Sequence, residues 1–453
     1  MKNSCRKDTI CAIATGSSTG AIAVIRVSGK NSFKICNKIF SKNITNEKSH
    51  TLHFGTIKNG NKIIDEVLLS IFKNPNSFTG EDIVEISCHG SQFIQGQIMQ
   101  LLTENGARTA NPGEFTLRAF VNGKMDLSQA EAVADLIASE SKKAHQIALN
   151  QMRGGFSNEL QTLREQLINF ASLIELELDF SEEDVEFANR QQFNELLQLI
   201  KNKLNQLITS FQLGNAIKNG IPVAILGAPN VGKSTLLNAF ANEEKAIVSE
   251  IAGTTRDAIE DVINIDGLQF RFIDTAGIRE TDNKIENIGI KKALEKAKKA
   301  KLVIYLVDAT IDIQAQTKEI RKLEKQLQNK LIVVVNKMDL NRNVADAIKE
   351  KDYLLISAKN NEGISNLKKQ LIDFSDNSFL QNDTIISNSR HQQELSNTLA
   401  EINAIIDGLN TDISGDLLAV NIRQALYHLG LITGEVTNDD LLGNIFGKFC
   451  IGK

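Results

Sequence analysis

The stretch Gly227–Ser234, which reads GAPNVGKS, follows directly on the apolar run Val223–Leu226. It fits the pattern G-x-x-x-x-G-K-S, in which a glycine-rich turn directs backbone N–H groups at phosphate oxygens where a helix begins. In such a turn Lys233 neutralises the β- and γ-phosphates, and the hydroxyl of Ser234 binds Mg²⁺. A single glycine-rich turn can also be purely structural, so the motifs that follow it decide its meaning.

Two further motifs follow in the order that a GTP-binding domain requires. The stretch Gly253–Asp257, GTTRD, offers Thr255 as a second hydroxyl for the same Mg²⁺. The stretch Asp274–Gly277, DTAG, comes at the end of a predicted strand. There Asp274 can hold a water molecule on the metal, and the N–H of Gly277 can sense the γ-phosphate.

Guanine specificity is predicted from residues 336–339, NKMD, which also end a predicted strand. The carboxylate of Asp339 can accept hydrogen bonds from the ring N–H and the exocyclic amine of guanine. Adenine lacks that amine, so a buried carboxylate would be left unpaired against ATP. Residues 357–359, SAK, fit the loop that supports the guanine oxygen. The ordered set of motifs therefore indicates a guanine-nucleotide switch domain.

The predicted GTP contacts come from these five motifs, from the residue after the first motif and from the loop before GTTRD. They are Asn230, Val231, Gly232, Lys233, Ser234, Thr235, Ser249, Glu250, Ile251, Ala252, Gly253, Thr254, Thr255, Asp274, Thr275, Ala276, Gly277, Asn336, Lys337, Met338, Asp339, Ser357, Ala358 and Lys359.

Hydrolysis needs a residue that orients the attacking water. Small signalling GTPases place Gln directly after the D-x-x-G motif, but this chain has Ile278 there, and an apolar side chain cannot orient water. A nearby acid must replace it, and Glu280, Asp282 and Glu286 are available. The amide oxygen of Asn230, beside the phosphates, is a possible ligand for a hard monovalent cation.

The pattern along the chain predicts three kinds of domain. Short β-like runs and one helical stretch up to about residue 122 predict an α+β domain. Amphipathic helices without proline are predicted from about 125 to 214 and again from about 390 to 430. Between them, Val/Ile/Leu-rich strands alternate with helices, which predicts a mainly parallel α/β sheet covered on both faces. The predicted domains are residues 1–122, the helical part 123–215, the inserted GTPase domain 216–380 and the second helical part 381–453.

Composition excludes some classes of protein. The net charge of -4 gives no general polyanion-binding surface, so RNA would be met by a local patch or through another protein. The 5 cysteines show neither metal-ligand spacing nor a disulfide framework, which favours a reducing cytoplasm. The apolar runs are strand-length and the first residues do not resemble a signal peptide, so no membrane association is expected.

The last five residues read FCIGK and raise the question of a lipid anchor. A prenylation box fails twice, because Gly452 and Lys453 stand where an aliphatic residue and an accepted terminal residue are needed. The preceding run, LLGNIFGKFC, keeps its apolar residues at helical spacing. We therefore expect this terminus to pack against the rest of the protein.

With these motifs, the chain resembles the MnmE (TrmE) family of tRNA-modification GTPases. The resemblance spans all three regions, and it rests on the motifs GAPNVGKSTLLNA, IAGTTRD, DTAGIRE, NKMD, NSFTGEDIVE, NPGEFTLRAF and the final FCIGK. It implies an N-terminal folate-binding domain that forms a homodimer, and a GTPase domain inserted into a helical domain. It also implies a flavoprotein partner, MnmG (GidA), which carries FAD. Together they would add a carboxymethylaminomethyl or aminomethyl group to carbon 5 of wobble uridine in certain tRNAs, using methylenetetrahydrofolate.

The resemblance also implies roles for single residues. The implied folate contacts are Arg26, Glu85, Lys124 and Lys453. The implied Mg²⁺ ligands are Ser234 and Thr255, and the implied K⁺ ligands are Asn230, Ser249, Ile251 and Thr254. Glu286 matches the glutamate that orients the attacking water. The chain departs from the family at residues 16–20, where the family usually has a loop with proline and arginine.

For several residues the sequence allows two different roles. Cys450 is either a catalytic thiolate nucleophile or a residue that packs beside the cofactor, and no His or second Cys lies near it in sequence to lower its pKa. An Arg in an apolar strand, such as Arg26, is ordinarily an ion-paired edge residue. His89 is either a turn residue or a base, and the basic run 291–301 is either a solvated helix face or an RNA-binding patch.

Two rival functions remain at this point. One is a GTP-dependent ribosome or RNA assembly factor without chemistry of its own, which would not bind folate tightly. The other is a stand-alone folate-dependent methyltransferase, which would not turn over GTP. Neither explains why a folate-type domain and a switch domain share one chain that ends in FCIGK.

Overall fold

The computed structural model describes residues 8–16, 20–179, 190–243, 260–273, 297, 300–311, 313–327, 330–341, 353–376, 384–411, 413 and 415–452. The chain forms two compact units, and each is described by itself. The first unit contains residues 1–137, 149–197 and 400–453, and the second contains residues 138–148 and 198–399. Within the described ranges, no helix is long and apolar enough to cross a membrane.

The strands are β1 Ile10–Ile13, β2 Ile22–Ser28, β3 Thr51–Asn59, β4 Lys62–Phe72, β5 Ile83–His89, β6 Arg108–Thr109, β7 Ile221–Gly227, β8 Glu260–Ile265, β9 Leu268–Ile273, β10 Leu302–Asp308, β11 Leu331–Asn336 and β12 Leu354–Leu355. The helices are α1 Ser32–Ile39, α2 Gln92–Glu104, α3 Glu114–Val121, α4 Leu127–Ile137, α5 Lys142–Met152, α6 Gly155–Asp179, α7 Arg190–Asn219, α8 Lys233–Glu243, α9 Ile313–Leu327, α10 Ile364–Asp376, α11 Ser389–Asn410, α12 Gly415–Thr433 and α13 Asp439–Phe446.

The first unit contains a six-stranded sheet in the order β3-β4-β5-β2-β1-β6. Its pairs are antiparallel except for β1 with β6. Alternate residues of β2 enter the core on one face, and helices α1 and α2 cover that face with side chains such as Ile35 and Ile98. This alternation is typical of a sheet whose two faces meet different surroundings.

The opposite face of this sheet carries a smaller apolar cluster beside α3. Ile10 and Ala12 of β1 pack there with Phe115 of α3, and Phe78 lies against them. Arg26 is the direct antiparallel partner of Ala12, so its side chain projects from this same face. The cluster therefore gives a charged residue an aromatic surrounding.

The helices of the first unit form a packed group. Helix α6 packs against α12, α12 packs against α4, and α3 contacts both α4 and α13. Apolar residues at 3- and 4-residue spacing, such as Leu160, Leu163 and Leu167 on α6, are the buried ones. The predicted all-α region therefore forms through the amphipathic pattern that the sequence carries.

The C-terminal run packs against the rest of its unit, as the sequence predicts. Helix α13 begins at Asn438, whose side chain accepts a hydrogen bond of 2.7 Å from the Leu441 N–H. Leu442 and Phe446 are buried against Leu127 of α4. Replacing a side chain as buried as Phe446 by Ala typically costs about 3–5 kcal/mol. This contact is large enough to hold the segment in place.

The second unit contains a sheet in the order β12-β11-β10-β7-β9-β8. The pairs from β12 to β9 are parallel, and only the edge strand β8 is antiparallel. Strand β10 is buried along its whole length, as a strand covered on both faces should be. The predicted fold class is confirmed: an α+β domain, a helical region and an inserted, mainly parallel α/β domain. The predicted domain boundaries stay a prediction.

One helix is shorter than the sequence predicts. The pattern from Ser128 to Met152 predicts one long helix, but the structure has α4 and α5 with residues 138–141 between them. The hydroxyl of Ser141 accepts a hydrogen bond of 3.2 Å from the Ala144 N–H and so starts a new helix. Serine competes with the helical backbone in this way, which is why it favours helix ends.

We expect the substitution Gly113→Ala to loosen the C-terminal segment. Gly113 has φ 65°, and a Cβ there would lie 2.7 Å from the Phe446 carbonyl oxygen and 3.0 Å from Cβ of Phe449. Gly123→Ala is a matched control, because Gly123 has φ 70° but open space around its Cβ position. Both variants carry the left-handed backbone strain of about 1–2 kcal/mol, and only Gly113→Ala displaces the segment.

Amide hydrogen exchange measures the difference. Residues 439–452 should exchange faster in Gly113→Ala than in Gly123→Ala, and the midpoint of thermal unfolding should be lower. Equal protection of this segment in the two variants would contradict the packing described here.

Candidate functional site

The turn between β7 and α8 has a backbone conformation that requires glycine at two positions. Gly227 has φ 149°, and a Cβ there would lie 2.6 Å from the carbonyl oxygen of Leu306. Gly232 has φ 102°, and a Cβ there would collide with the side-chain amide of Asn336. Both glycines of the G-x-x-x-x-G-K-S pattern are thus required by sterics before any ligand is considered.

Lys233 lies over this turn. Its Nζ donates hydrogen bonds of 2.8 Å to the Gly227 carbonyl and 3.3 Å to the Ala228 carbonyl. Ser234 and Thr235 follow in the first turn of α8 with exposed hydroxyl side chains. The helix therefore presents its N-terminal N–H groups, one ammonium and two hydroxyls at the same end, which is a suitable surrounding for a phosphate and a hard cation.

The side chain of Asn336 joins the turn to the last loop of the sheet. Its Nδ2 donates a 2.8 Å hydrogen bond to the Val231 carbonyl, and its Oδ1 accepts one of 3.0 Å from the Ala358 N–H. Asn336 is only 3% exposed. The phosphate-binding turn and the SAK loop are therefore held at a fixed separation by one amide.

Asp339 and Ser357 are also brought together. The Ser357 hydroxyl, which is fully buried, donates a 2.7 Å hydrogen bond to Oδ1 of Asp339. The Met338 N–H donates to the carbonyl of Ile356 at 3.2 Å, which ties the two loops by backbone as well. One oxygen of the carboxylate is thus fixed in place beside residues 357–359.

The other predicted GTP contacts lie outside the described residues. They are Ser249, Glu250, Ile251, Ala252, Gly253, Thr254, Thr255, Asp274, Thr275, Ala276 and Gly277. Glu286, Lys453 and most of the basic run 291–301 also lie outside them.

A second cluster lies in the first unit around Arg26. Its Nε donates a 2.8 Å hydrogen bond to Oε1 of Glu85, the directly paired residue on β5. The guanidinium carbon lies 5.3 Å from the ring centre of Phe78 and 5.6 Å from that of Phe115. Both charged side chains are partly exposed, 22% and 25%. Arg26 is ion-paired, as the sequence interpretation requires, but its strand β2 lies inside the sheet between β5 and β1, so the expected edge position is wrong. The aromatic pair is an addition that the sequence did not predict.

Lys124 reaches the loop that carries Phe78. Its Nζ donates a 3.1 Å hydrogen bond to the Pro75 carbonyl. Gly80, at φ 74°, lies against the Lys124 stem, with its Cβ position 3.3 Å from Cγ of Lys124. Three of the four implied folate contacts therefore belong to one neighbourhood, built on β2, β5 and the loop before β5.

A buried ion network supports this neighbourhood, and sequence reasoning missed it. Arg118 and Glu114 are each 2% exposed and 3.0 Å apart, one helical turn from each other on α3. Arg118 also binds Glu81 at 3.1 Å and Asp8 at 2.8 Å. Charges spaced i, i+4 within the apolar run EFTLRAF were the available signal.

The network holds the Glu114 carboxylate ionised. Burial alone would raise the pKa of Glu114, but hydrogen bonds from Arg108, the Asn111 N–H and Arg118 outweigh it and hold that pKa below its ordinary value. The Ser28 hydroxyl donates a 2.8 Å hydrogen bond to Glu81 and so connects the network to β2, the strand of Arg26. The start of α3 and the loop before β5 are thus fixed together.

The C-terminal segment meets the same neighbourhood. The Cys450 carbonyl accepts a 3.3 Å hydrogen bond from the Gly113 N–H, two residues before Phe115. Gly452 lies against the Ile13 carbonyl, and its Cβ position is 3.2 Å from Cα of Ala14 at the end of β1. The thiol of Cys450 belongs to an exposed residue.

His89 lies at the end of β5 and is fixed by one carboxylate. Asp65 accepts hydrogen bonds of 2.8 Å from the His89 backbone N–H and 2.7 Å from its ring. Asp65 is buried and the side chain of His89 is 68% exposed. This double contact holds the turn in shape, as the turn-residue interpretation requires.

Two family descriptions match successive parts of the chain. The profile described as "GTP-binding protein TrmE N-terminus" matches residues 9–124, and that of the MnmE helical domain matches residues 127–450. A protein of Flavobacterium psychrophilum called tRNA modification GTPase MnmE is 58% identical over 98% of this chain and 99% of its own. Its namesake in Christiangramia forsetii is 55% identical over the same shares.

The chain belongs to the MnmE family.

Solved structures of other proteins also resemble it. The FeoB G-domain from Methanococcus jannaschii is 26% identical, covers 34% of this chain and 97% of its own, and has a TM-score of 0.26. A crystal structure of Aquifex aeolicus Era bound to GDP and AlF4⁻ is 28% identical, covers 40% of this chain and 66% of its own, and has a TM-score of 0.27. Assignment to the MnmE family rests on the full-length relatives.

We expect Asn336→Ala to weaken nucleotide binding and to destabilise the second unit. The change leaves the Val231 carbonyl and the Ala358 N–H without their partner, at about 1–3 kcal/mol for each buried group. Asn360→Ala, an exposed residue after the same loop, is the control. Isothermal titration with GDP and thermal unfolding measure the two effects. Equal GDP affinity in both variants would show that the amide bridge does not shape the site.

Proposed function

We propose that this chain hydrolyses GTP and uses methylenetetrahydrofolate to modify the wobble uridine of certain tRNAs. Membership of its family makes it a tRNA modification GTPase. The single observation that supports the finer proposal is the meeting of Arg26, Glu85 and the C-terminal segment in the first unit, in a chain whose second unit carries a guanine-nucleotide site. A GTPase without chemistry of its own has no use for the first of these sites.

In the second unit, the described residues of the GTP motifs divide the tasks of GTP binding. The turn 227–232 surrounds the phosphates with N–H groups, and Lys233 moves its ammonium from the loop carbonyls to the β- and γ-phosphates. The Asp339 carboxylate reads the guanine edge while Ser357 holds it in place. The hydroxyl of Ser234 fits Mg²⁺, which takes most of its other ligands from phosphate and water. Thr255 is the second proposed Mg²⁺ ligand.

We infer a role for K⁺ at the phosphates. Asn230 lies between Gly227 and Gly232 in the turn that is proposed to surround the phosphates, and its backbone has φ 61°. Ser249, Ile251 and Thr254 complete the proposed ligand set, and Glu286 is the proposed residue that orients the water. A monovalent cation there would stabilise the charge that develops during hydrolysis, as an arginine finger does in other GTPases.

Hydrolysis should therefore be much faster in KCl than in NaCl at equal ionic strength. The ion radius decides which cation the carbonyl and amide oxygens can hold, so Na⁺ should replace K⁺ poorly. Phosphate release at saturating GTP measures the rate, and GDP affinity in the two salts is the control. Equal hydrolysis rates in the two salts would rule out the cation.

The cluster around Arg26 fits a folate by its chemistry. A pterin ring is flat and carries N–H donors, and its glutamate tail carries carboxylates. The Glu85 carboxylate can accept from the ring, and the cations Arg26 and Lys124 suit carboxylates. The ring of Phe78 is partly exposed and can pack on a flat ligand, whereas the ring of Phe115 is fully buried and supports Arg26 from the core side. When bound, the cofactor would supply the one-carbon unit, and this chain's residues would orient it and exclude water.

A homodimer is supported by an apolar face of the same sheet. Phe54 on β3 pairs with Leu68 on β4, and both point away from the core with 57% and 40% of their surface exposed. Leu52, two residues from Phe54, is 59% exposed, and Ile22 on β2 is 67% exposed. Alternation along the strands puts these four on the face of Arg26. A second copy seated there would bury them beside the folate site.

The remaining proposed partners are tRNA and the flavoprotein MnmG, which carries FAD. Family membership supports them, and the proposed location is the cytoplasm. The flavoprotein would supply the redox chemistry that this chain's described side chains do not offer. The rival function, a GTP-dependent ribosome or RNA assembly factor, predicts normal wobble uridine in cells that lack the protein.

We expect Arg26→Gln to weaken folate binding and tRNA modification while GTP hydrolysis stays within about twofold. The change removes a cation and leaves Glu85 without its partner, each worth about tenfold for a charge-assisted contact. Lys62→Gln, an exposed change on the same sheet, is the control. Fluorescence titration with a tetrahydrofolate and nucleoside analysis of tRNA from complemented cells give the readouts. Tight folate binding by Arg26→Gln would remove this residue from the site.

The same two assays separate the roles of Cys450. If Cys450 only positions the segment, Cys450→Ser keeps most modification, because the backbone contact with Gly113 is retained. If its thiolate is a nucleophile, Cys450→Ser still binds folate but loses nearly all modification.

A further inference from the structure

Lys337 of the NKMD motif contacts a residue that no motif includes. Its ammonium lies 2.6 Å from Oδ2 of Asp308, the last residue of β10. Asp308 is the direct parallel partner of Asn336, so the pair forms where two neighbouring strands end. The Asp308 side chain is largely buried and Lys337 is partly exposed, so the carboxylate is the fixed member of the pair.

Asp308 is held in place by Thr310. Both the backbone N–H and the hydroxyl of Thr310 donate to Oδ1 of Asp308, at 2.9 and 2.7 Å. Oδ2 is thereby directed at Lys337. Burial alone would raise the pKa of Asp308, but the hydrogen bonds from Lys337 and Thr310 outweigh it and hold that pKa below its ordinary value. The carboxylate is a fixed negative charge at neutral pH.

The backbone of Lys337 places this contact inside the nucleotide site. Lys337 has φ 66°, a left-handed conformation that is strained for a residue with a side chain. It follows Asn336, which holds the phosphate-binding turn, and precedes Asp339 by two residues. Its side chain therefore leaves the strand between the part that holds the phosphates and the part that reads the base.

A free lysine side chain has substantial rotamer entropy, which is lost when a ligand fixes the side chain. The ion pair with Asp308 removes much of it before the nucleotide arrives. Preorganisation of this kind raises affinity without adding a contact to the ligand. The pair also neutralises the ammonium, so the positive charge offered to the phosphates is that of Lys233.

We propose that Asp308 is a positioning residue for guanine nucleotides, which acts by holding Lys337 in its binding conformation and does not touch the nucleotide itself. Thr310 serves the same purpose one step further away. The alternative is that Asp308 only maintains the shape of the 308–311 turn. The proposal rests on the nucleotide site proposed above.

A double-mutant cycle on the full chain tests it. Asp308→Asn and Lys337→Met should each weaken GDP binding by about tenfold, the value of one charge-assisted contact. If Asp308 acts through Lys337, the double variant should be no weaker than Lys337→Met alone. In both variants the KM for GTP should rise by a larger factor than kcat falls, because the effect is on binding. Asp266→Asn, the same change at an exposed turn of the second unit, should leave binding unaltered.

Two further variants keep the test decisive if Asp308→Asn folds poorly. Thr310→Val keeps both charges and should weaken GDP binding about threefold, and Asp308→Glu should restore part of the affinity that Asp308→Asn loses. Additive losses in the cycle, or a lower unfolding midpoint with unchanged GDP affinity, would overturn the proposal in favour of a purely structural role.

A reference variant separates this failure from failure of the nucleotide site itself. Asp339→Asn should exchange GTP preference for xanthosine triphosphate, because the hydrogen-bonding pattern offered to the base is inverted. If it does so while Asp308→Asn has no effect, only the role of Asp308 is wrong. If Asp339→Asn leaves the preference unchanged, the assignment of the base site is wrong.

Discussion

The amide of Asn336 is the contact on which the nucleotide site depends. Parallel pairing brings the ends of β7, β10 and β11 to one edge of the sheet, but it does not fix the loops that leave them. Asn336 does so, because it satisfies the Val231 carbonyl on one side and the Ala358 N–H on the other. The steric demand for glycine at position 232 follows from the same amide, since any Cβ would occupy its place. The turn proposed to bind the phosphates and the loop proposed to recognise the base thus share one hydrogen-bonded centre.

In the first unit, the loops that leave the sheet are held together by ion pairs. Its functional neighbourhood also lies where loops leave a sheet, but the loops are joined by Arg118, which is buried among Asp8, Glu81 and Glu114. Arg118 is 2% exposed, and removing it would take the shared cation away from three carboxylates, at about 3–5 kcal/mol, so the network is costly to disturb. Since α3 carries both Arg118 and Phe115, the network also fixes one of the two rings beside Arg26. A fixed ring and a partly exposed cation give a site that is rigid on one side and open on the other.

Much of the fold and of the two sites is predictable from sequence, for a different reason in each case. The phosphate turn and NKMD are predictable because their chemistry fixes residue types at fixed spacing, and the parallel sheet because its strands are continuously apolar. The short strand β1 and helix α1 escape prediction, because four and eight residues carry too little periodicity. The break at residues 138–141 is not predicted either, because the apolar spacing continues across it. Only the hydrogen bond from the Ala144 N–H to the Ser141 hydroxyl shows that a new helix starts there. Contacts across the sequence, such as Asp8 with Arg118, have no local signal at all.

The position of Gly452 against Ile13 and Ala14 has a consequence for biosynthesis. The first strand and α3 leave the ribosome early, whereas the segment that packs on them follows after nearly the whole chain. At usual translation rates this interval is on the order of tens of seconds. During that time the sheet and the four helices that precede residue 138 can fold, but the surface that receives Leu442 and Phe446 stays uncovered. A nascent chain therefore exposes an apolar surface while its GTPase domain is being made, and this surface is covered only when the C-terminal segment emerges.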